Sequence, residues 1–160
     1  MKIQKTNAMR FLDKNKIEYH AHMYEHKEGD PVDGVHVAMI LNQPIDHVYK
    51  TLVCQANTKE YLVFMIPVHL ELDLKKCARS SQVKSCEMIH VKDINKITGY
   101  IRGGCSPLGM KRQFRTFIDE RVNSIDYIYF SAGKIGEQIE MDPKNLIKVM
   151  NIEVDDLVKE

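Results

Sequence analysis

The sequence predicts one α/β domain of the α+β type, a mixed and largely antiparallel, curled sheet with helices packed outside it. Three observations carry that expectation. Strand-like and helix-like segments are interspersed without strict β–α–β alternation, which argues against a wholly parallel sheet. "VYKTLVCQ", "ANTKE" and "YLVFMIP" read as two apolar runs joined by a short polar link. That is a hairpin, and its second strand is continuous enough to be buried on both faces. Finally, short apolar-faced segments are each preceded by a residue able to cap a helix. The 160 residues suffice for one sizeable core and would be strained by two. No repeat or low-complexity tract marks a boundary, so residues 1–160 are expected to form a single domain.

Taken in order, Thr6 or Asn7 caps a first helix whose apolar positions Ala8, Phe11 and Leu12 share a face. "IEYHAHMYEH" reads as a strand and "KEGDPVDG" as a loop, with Asp33 capping a short helix through "VHVAMIL" that stops near Asn42. After the hairpin, Asp73 opens a basic helix, "LKKCARSSQ", and a further helix over "VKDINKI" ends at Gly99. "FRTFID", "DYIYFSAG" and "EQIEM" supply three more strands. Asp142-Pro143 starts a closing helix, "KNLIKVM", because the first helical turn does not use the N–H that proline lacks.

Composition narrows the function by exclusion. Basic and acidic residues number 23 and 22, so no global basic field advertises nucleic-acid binding and any such claim rests on local clustering. The four cysteines are far apart with no CxxC pair, which disfavours a disulfide framework or zinc knuckle and suits a reducing cytoplasm. The N-terminus lacks the apolar core of a signal peptide. The longest apolar run, "YLVFMIPV", is far below the roughly 20 residues that span a bilayer, so no membrane role is expected.

The chemistry concentrates in "YIRGGCSPLGMKR". Gly103, Gly104 and Gly109 bracket Pro107, which stiffens the turn, and glycines let backbone N–H groups face a ligand. Such a loop is built to hold a carbonyl or phosphate oxygen with main-chain donors. It is not a P-loop. Gly104 to Gly109 has the G-x4-G spacing, but Met110 stands in the lysine position and no Ser or Thr follows Lys111. A second glycine loop, "SAGKIG", leaves the strand "DYIYF", and two such loops with nearby cations point to a shared pocket. Lys50, in "VYKTL", opens an apolar strand, where an inward lysine is costly unless it meets an anion.

Other residues invite weaker readings. His20, His22, Tyr24 and His26 share one strand face by period-two geometry, but no zincin-type carboxylate–histidine pattern supports a metal there, and exposed polar residues on a strand edge are expected. Cys105 sits where a cysteine hydrolase would want its nucleophile, yet a small semi-buried side chain is the expectation. Arg102, Lys111, Arg112 and Arg115 surround the loop, with Lys75, Lys76, Arg79 and Lys84 on the preceding helix. Such runs are usually solvated, and become phosphate contacts only if a nucleic acid is the substrate.

"HMYEH", "VYKTL", "PVHLELDLKK", "TGYIRGGCSPLG" and "YIYFSAGKIG", in this order and spacing, resemble the YbaK family of free-standing Cys-tRNA(Pro) deacylases, related to the editing domain inserted in bacterial prolyl-tRNA synthetases. The resemblance runs from about Gln4 to the end of the chain, and Lys50 with the GxxxPxG loop (Gly103, Pro107, Gly109) carries it most specifically. It implies that family's barrel-like α/β fold and removal of mischarged amino acid from the acceptor end of tRNA. It implies no cofactor and no metal, with prolyl-tRNA synthetase as a partner. A hydrophobic pocket separates cysteine from the near-isosteric proline poorly, so a second site must clear the error. Relatives are thought to let the substrate's own thiol attack its ester, so that no protein nucleophile is required. Carried onto this chain, Lys50 would meet the terminal adenosine or developing charge. Gly103, Gly104 and Ser131–Gly133 would position the aminoacyl group, and Tyr24, Gly34, Pro107, Gly109, Gly133 and Lys134 would shape the substrate site. Two departures bear on specificity: Asp33 stands where many relatives have phenylalanine, and Gln138 where they often have aspartate.

Overall fold

The structure, a computed structural model, describes residues 4–27 and 33–160. Polar caps set where the helices begin. Thr6 accepts from the Met9 N–H ahead of α1 (Asn7–Lys14), and Asp33 from His36 ahead of α2 (Gly34–Ile40). Asp73 accepts from Lys75 and Lys76 ahead of α3 (Leu74–Ser81). Each cap satisfies an N–H that the first helical turn leaves without a partner. The expected helix over "VKDINKI" is a 3-10 turn, Val91–Asp93, running into the short α4 (Ile94–Thr98), and Gly99 ends it in the left-handed conformation. Asp142 caps α5 (Pro143–Met150), with proline in its first turn as expected. The loop expected over "KEGDPVDG" falls largely outside the described residues.

Eight strands are present among the described residues: β1 (His20–Met23), β2 (Tyr49–Ala56), β3 (Tyr61–Pro67), β4 (Cys86–Met88), β5 (Arg115–Asp119), β6 (Ile128–Ser131), β7 (Glu137–Met141) and β8 (Glu153–Asp155). They form two sheets, one ordered β1-β7-β6 and the other β4-β2-β3-β5-β8. All pairings are antiparallel except β3 with β5 and β5 with β8. The mixed, largely antiparallel character is as expected, but one barrel-like sheet is not what the strands make. Both ladders are open at their ends, and a single parallel bridge, Val48 to Tyr129, joins them. Beyond Val48, β2 pairs with β3 along Tyr49–Gln55 and with β4 only at Cys54–Ala56, and the bridge to Tyr129 is not extended into a ladder.

β3 is the shared wall of the interior. Leu62, Phe64 and Ile66 pack on one side with Cys77, Phe117 and Leu157, while Met65 faces the other side with Leu12, Phe130, Ile139 and Leu146. Alternation along a strand buried on both faces produces that division. A small third cluster, Ala38, Val48, Val68 and Tyr129, fills the seam between the sheets beneath α2. Gly34 allows the close approach there. A Cβ at Gly34 would lie 2.1 Å from Val68 Cγ1, so any side chain would push the start of α2 away from β3.

Candidate functional site

Between α2, β2, the segment from β4 to α4 and the first glycine loop lies a cavity of about 370 Å³. Lys50, Gly34, Gly103 and Ser131 all line it, so four of the residues expected at the site converge on one hollow. Lys50 sits near the start of β2, opposite Ile66 in the hairpin. It has no hydrogen bond or ion pair among the described residues. Burial pushes its pKa below the ordinary lysine value, and the charge of Glu71 offsets part of that. An ammonium held in this way is short of counter-charge, which favours an anionic ligand group.

The two glycine loops touch at the backbone. A Cβ on Gly104 would lie 3.2 Å from the Ile135 nitrogen and 3.4 Å from Lys134 Cα. Tyr100 pins both loops from beneath. It is buried, its hydroxyl donates to the Leu108 carbonyl at 2.6 Å, and its ring lies where a Cβ on Gly133 would be, 2.7 Å from Cε1. Gly133 itself has φ +106°, which favours glycine.

Which N–H groups remain available is a matter of accounting. That of Gly104 donates to the Ile101 carbonyl, that of Ala132 to Glu137, and that of Gly133 to Ser131 Oγ. The Gly103 N–H has no acceptor among the described residues and stands at the cavity wall. Of the main-chain donors expected from Gly103, Gly104 and the 131–133 segment, those of Gly104, Ala132 and Gly133 are thus engaged and that of Gly103 is not.

Several expected residues stand elsewhere. Gly104, Gly133 and Lys134 form the contact between the loops and do not line the cavity, and Lys134 is exposed. Pro107 and Gly109 line a separate hollow of about 100 Å³ against Phe11 and Met150. Tyr24 lies past the end of β1, half-buried, its N–H donating to the Gly136 carbonyl, and is likewise off the cavity wall. Among the described residues His22 joins no group of metal-ligating side chains; its Nε2 meets Glu140 Oε1 at 2.8 Å, and Tyr129 donates to the same oxygen.

Sequence reasoning missed Thr51 as a polar contributor to the wall, and marked Gln138 only as a departure bearing on specificity. Thr51 Oγ1 and Gln138 Oε1 are buried without a hydrogen-bond partner, and both residues line the cavity. Adjacency to Lys50 was the available signal for Thr51; for Gln138 it was the departure from the family pattern. Asp33, the other departure, also reaches the wall. Cys105 lines it too, but burial pushes its thiol up to about 11. At neutral pH that leaves roughly one thiolate in ten thousand, and no histidine lines the cavity to act as its base.

Most of the nearby cations are already engaged or distant. Arg115 forms a two-point pair with Glu60 and also donates to the Ser81 carbonyl. Lys76 is held by Asp156 and the Val158 carbonyl. Of the eight flagged in the sequence, Arg102 alone lines the cavity.

Comparison with known proteins bears on the family. The model of the aminoacyl-tRNA editing domain matches residues 32–149. The chain is 43% identical over 148 residues to the Enterococcus faecalis protein named "Putative Cys-tRNA(Pro)/Cys-tRNA(Cys) deacylase EbsC", covering 92% of this chain and 90% of that one. In fold it is similar to the hypothetical protein APE2540, with a TM-score of 0.86, 16% identity and coverage of 96% of this chain and 100% of that one. A crystal structure described as "a putative trans-editing enzyme for prolyl tRNA synthetase" gives a TM-score of 0.81 at 16% identity, covering 96% of each chain. A matched stretch of that length, together with a relative of that identity along nearly the whole chain, settles the family: this chain belongs to the YbaK-like aminoacyl-tRNA editing domain family.

Proposed function

We propose that the protein is an aminoacyl-tRNA deacylase that clears cysteine mischarged onto tRNA(Pro), with Cys-tRNA(Cys) as a further substrate, by letting the substrate's thiol cleave its own ester. The observation that carries this reading is the convergence of Lys50, the unpartnered Gly103 N–H and Ser131 on one cavity that holds no activated nucleophile. The name given to the 43%-identical relative supports the same substrate class.

In this reaction the cysteine sulfur forms a bond to the ester carbonyl carbon and the bond from that carbon to the ribose oxygen breaks. The thiol proton ends on the ribose oxygen, and a thiolactone leaves with free tRNA. The Gly103 N–H and the Lys50 ammonium stabilise the oxygen that gains negative charge, in a site from which the apolar wall excludes much of the water. Holding thiol and carbonyl in an attacking geometry supplies the rest, up to roughly 7–11 kcal/mol in ideal intramolecular cases. Prolyl-tRNA synthetase, the source of the error, is the partner that would deliver the substrate.

The test replaces cysteine by serine on tRNA(Pro). Turnover should fall nearly to the uncatalysed rate, whereas efficient hydrolysis of the serine ester would refute thiol assistance. A second reading, a deacylase for another small amino acid such as alanine, draws on Asp33 and Gln138, which stand on the cavity wall where relatives carry other residues. Faster release of alanine than of cysteine from tRNA(Pro) would establish it.

A further inference from the structure

The cavity is larger than a cysteinyl group requires. At about 370 Å³ it falls in the range that holds a ligand of nucleoside size rather than one small side chain. Its polar groups, Lys50, Gly103, Ser131 and Gln138, come from β2, the two glycine loops and β7. Apolar side chains line the cavity in two places: Val37, Val48, Val53 and Val68 are buried, whereas Met88, Ile89, Val91 and Ile94, four apolar side chains in seven residues of β4 and the segment leading into α4, are not. Met88 is 45% exposed and Val91 56% exposed. Apolar residues left open beside a pocket mark a surface that something else covers. Met88 is also held in place, since Cys54 Sγ donates to its sulfur at 3.6 Å, and Ile89 is tied to the Val53 carbonyl through its N–H. On the lip next to this wall stands Arg102, exposed, with no ion pair or hydrogen bond among the described residues.

We infer that Met88, Val91 and Ile94 form the subsite for the adenine of the tRNA 3′-terminal nucleotide and that Arg102 meets the phosphate on its 5′ side. The assignment rests on the reading of the cavity as an aminoacyl-tRNA site. The scissile ester sits on the very ribose that bears the base, so once Gly103 holds the carbonyl the base lies no more than one sugar away. Of the cavity's apolar lining, this wall is the part with exposed side chains, and it suits a flat, weakly polar ring, since bases are held between apolar as well as aromatic side chains. The phosphate then leaves toward solvent, where an unpaired guanidinium is placed to receive it. Every tRNA ends in adenosine, so this subsite supplies affinity without telling one tRNA from another. Selection of the tRNA must come from contacts outside the cavity.

Three surface variants and one small probe test this. Val91→Asp should raise KM for Cys-tRNA(Pro) roughly tenfold with kcat within about twofold, because a wall contact contributes to binding before and during the reaction alike. Met39→Asp, which adds the same charge at an exposed position off the wall, should leave KM within about twofold. Arg102→Ala should lower the slope of log affinity against log salt by about 1. Adenosine 5′-monophosphate, followed by NMR, should shift the amides of residues 88–94 and 102–103 in the wild type, and Val91→Asp should weaken those shifts. An unchanged KM in Val91→Asp, or nucleotide shifts confined to other parts of the molecule, overturns the subsite. The parent reading fails separately. A wild type that deacylates nothing yet shows these shifts retains the nucleotide subsite and loses the deacylase function, whereas an active wild type without them retains the function and loses the subsite.

Discussion

The cavity-facing and core-facing parts of the glycine loops look alike in sequence and do opposite work. Gly103 and Ser131 open onto the cavity, and the Gly103 N–H is left without a protein acceptor. Gly109 and Gly133, both at positive φ, are closed off, Gly133 by the Tyr100 ring and Gly109 by Asn7 together with the Tyr100 hydroxyl. One set of glycines presents backbone to a ligand, and the other lets two loops and an aromatic ring pack to within van der Waals distance. Glycine content alone therefore does not locate a binding group; the destination of each N–H does. The prediction that separates the two regions is that substitutions on the cavity side lower activity without lowering stability, and those on the Tyr100 side do the reverse.

The largest effect is expected at Lys50. Lys50→Met keeps the alkyl stem and removes the charge, and should reduce kcat/KM for Cys-tRNA(Pro) by about 10²–10³-fold, the usual loss when one transition-state charge partner is removed. Its stability should be equal or higher. Burial lowers the folded-state pKa of Lys50, so the protonated amine opposes folding at every pH below that folded value, and deleting it relieves the penalty. A fall in Tm of several degrees in Lys50→Met would show that the lysine is structural. The next effect, in the opposite sense, is at Gly133. An alanine there adds a Cβ 2.7 Å from Tyr100 Cε1 at φ +106°, and should cost about 2–3 kcal/mol in urea unfolding. At a temperature where the variant is fully folded, its kcat/KM should stay within about tenfold of the wild type. Loss of activity without loss of stability at Gly133 would move the second loop from the core side to the substrate side.

Elements with local chemical signatures were legible before the structure. Thr6, Asp33, Asp73 and Asp142 each cap the helix they were expected to cap, and the β2–β3 hairpin follows from its apolar runs. β4 and β8 were not legible. Each is three residues long with no alternation of its own, and exists because an edge of β2 or β5 offers hydrogen bonds that a short segment can accept. The parallel pairings of β3 with β5 and of β5 with β8, and the division into two sheets, depend on contacts distant in sequence. The site divides in the same way. Lys50 and Gly103 announce themselves by type and position, whereas Met88, Val91 and Ile94 read as ordinary core residues until the fold leaves two of them exposed. Thr51 and Gln138 depend on which polar atoms remain without partners, a fact that exists only in three dimensions.

Cys105 provides the smallest expected effect and the sharpest test of the cavity side. It lines the same wall as Lys50, but a thiol held at about 11 is protonated throughout the neutral range and has no histidine on the wall to remove its proton. Cys105→Ser keeps the size of the group and abolishes its nucleophilicity as a thiolate. If the substrate's own sulfur does the cleaving, the variant should retain kcat/KM within about twofold, and its pH–rate profile should superpose on that of the wild type. A nucleophilic Cys105 would instead make the variant nearly inactive and would leave a transient thioester on the wild-type protein, detectable by mass spectrometry of the quenched reaction. Retained activity and an unmodified Cys105 would remove the one thiol on the wall as nucleophile, which restraint of the substrate by Lys50 and the Gly103 N–H requires.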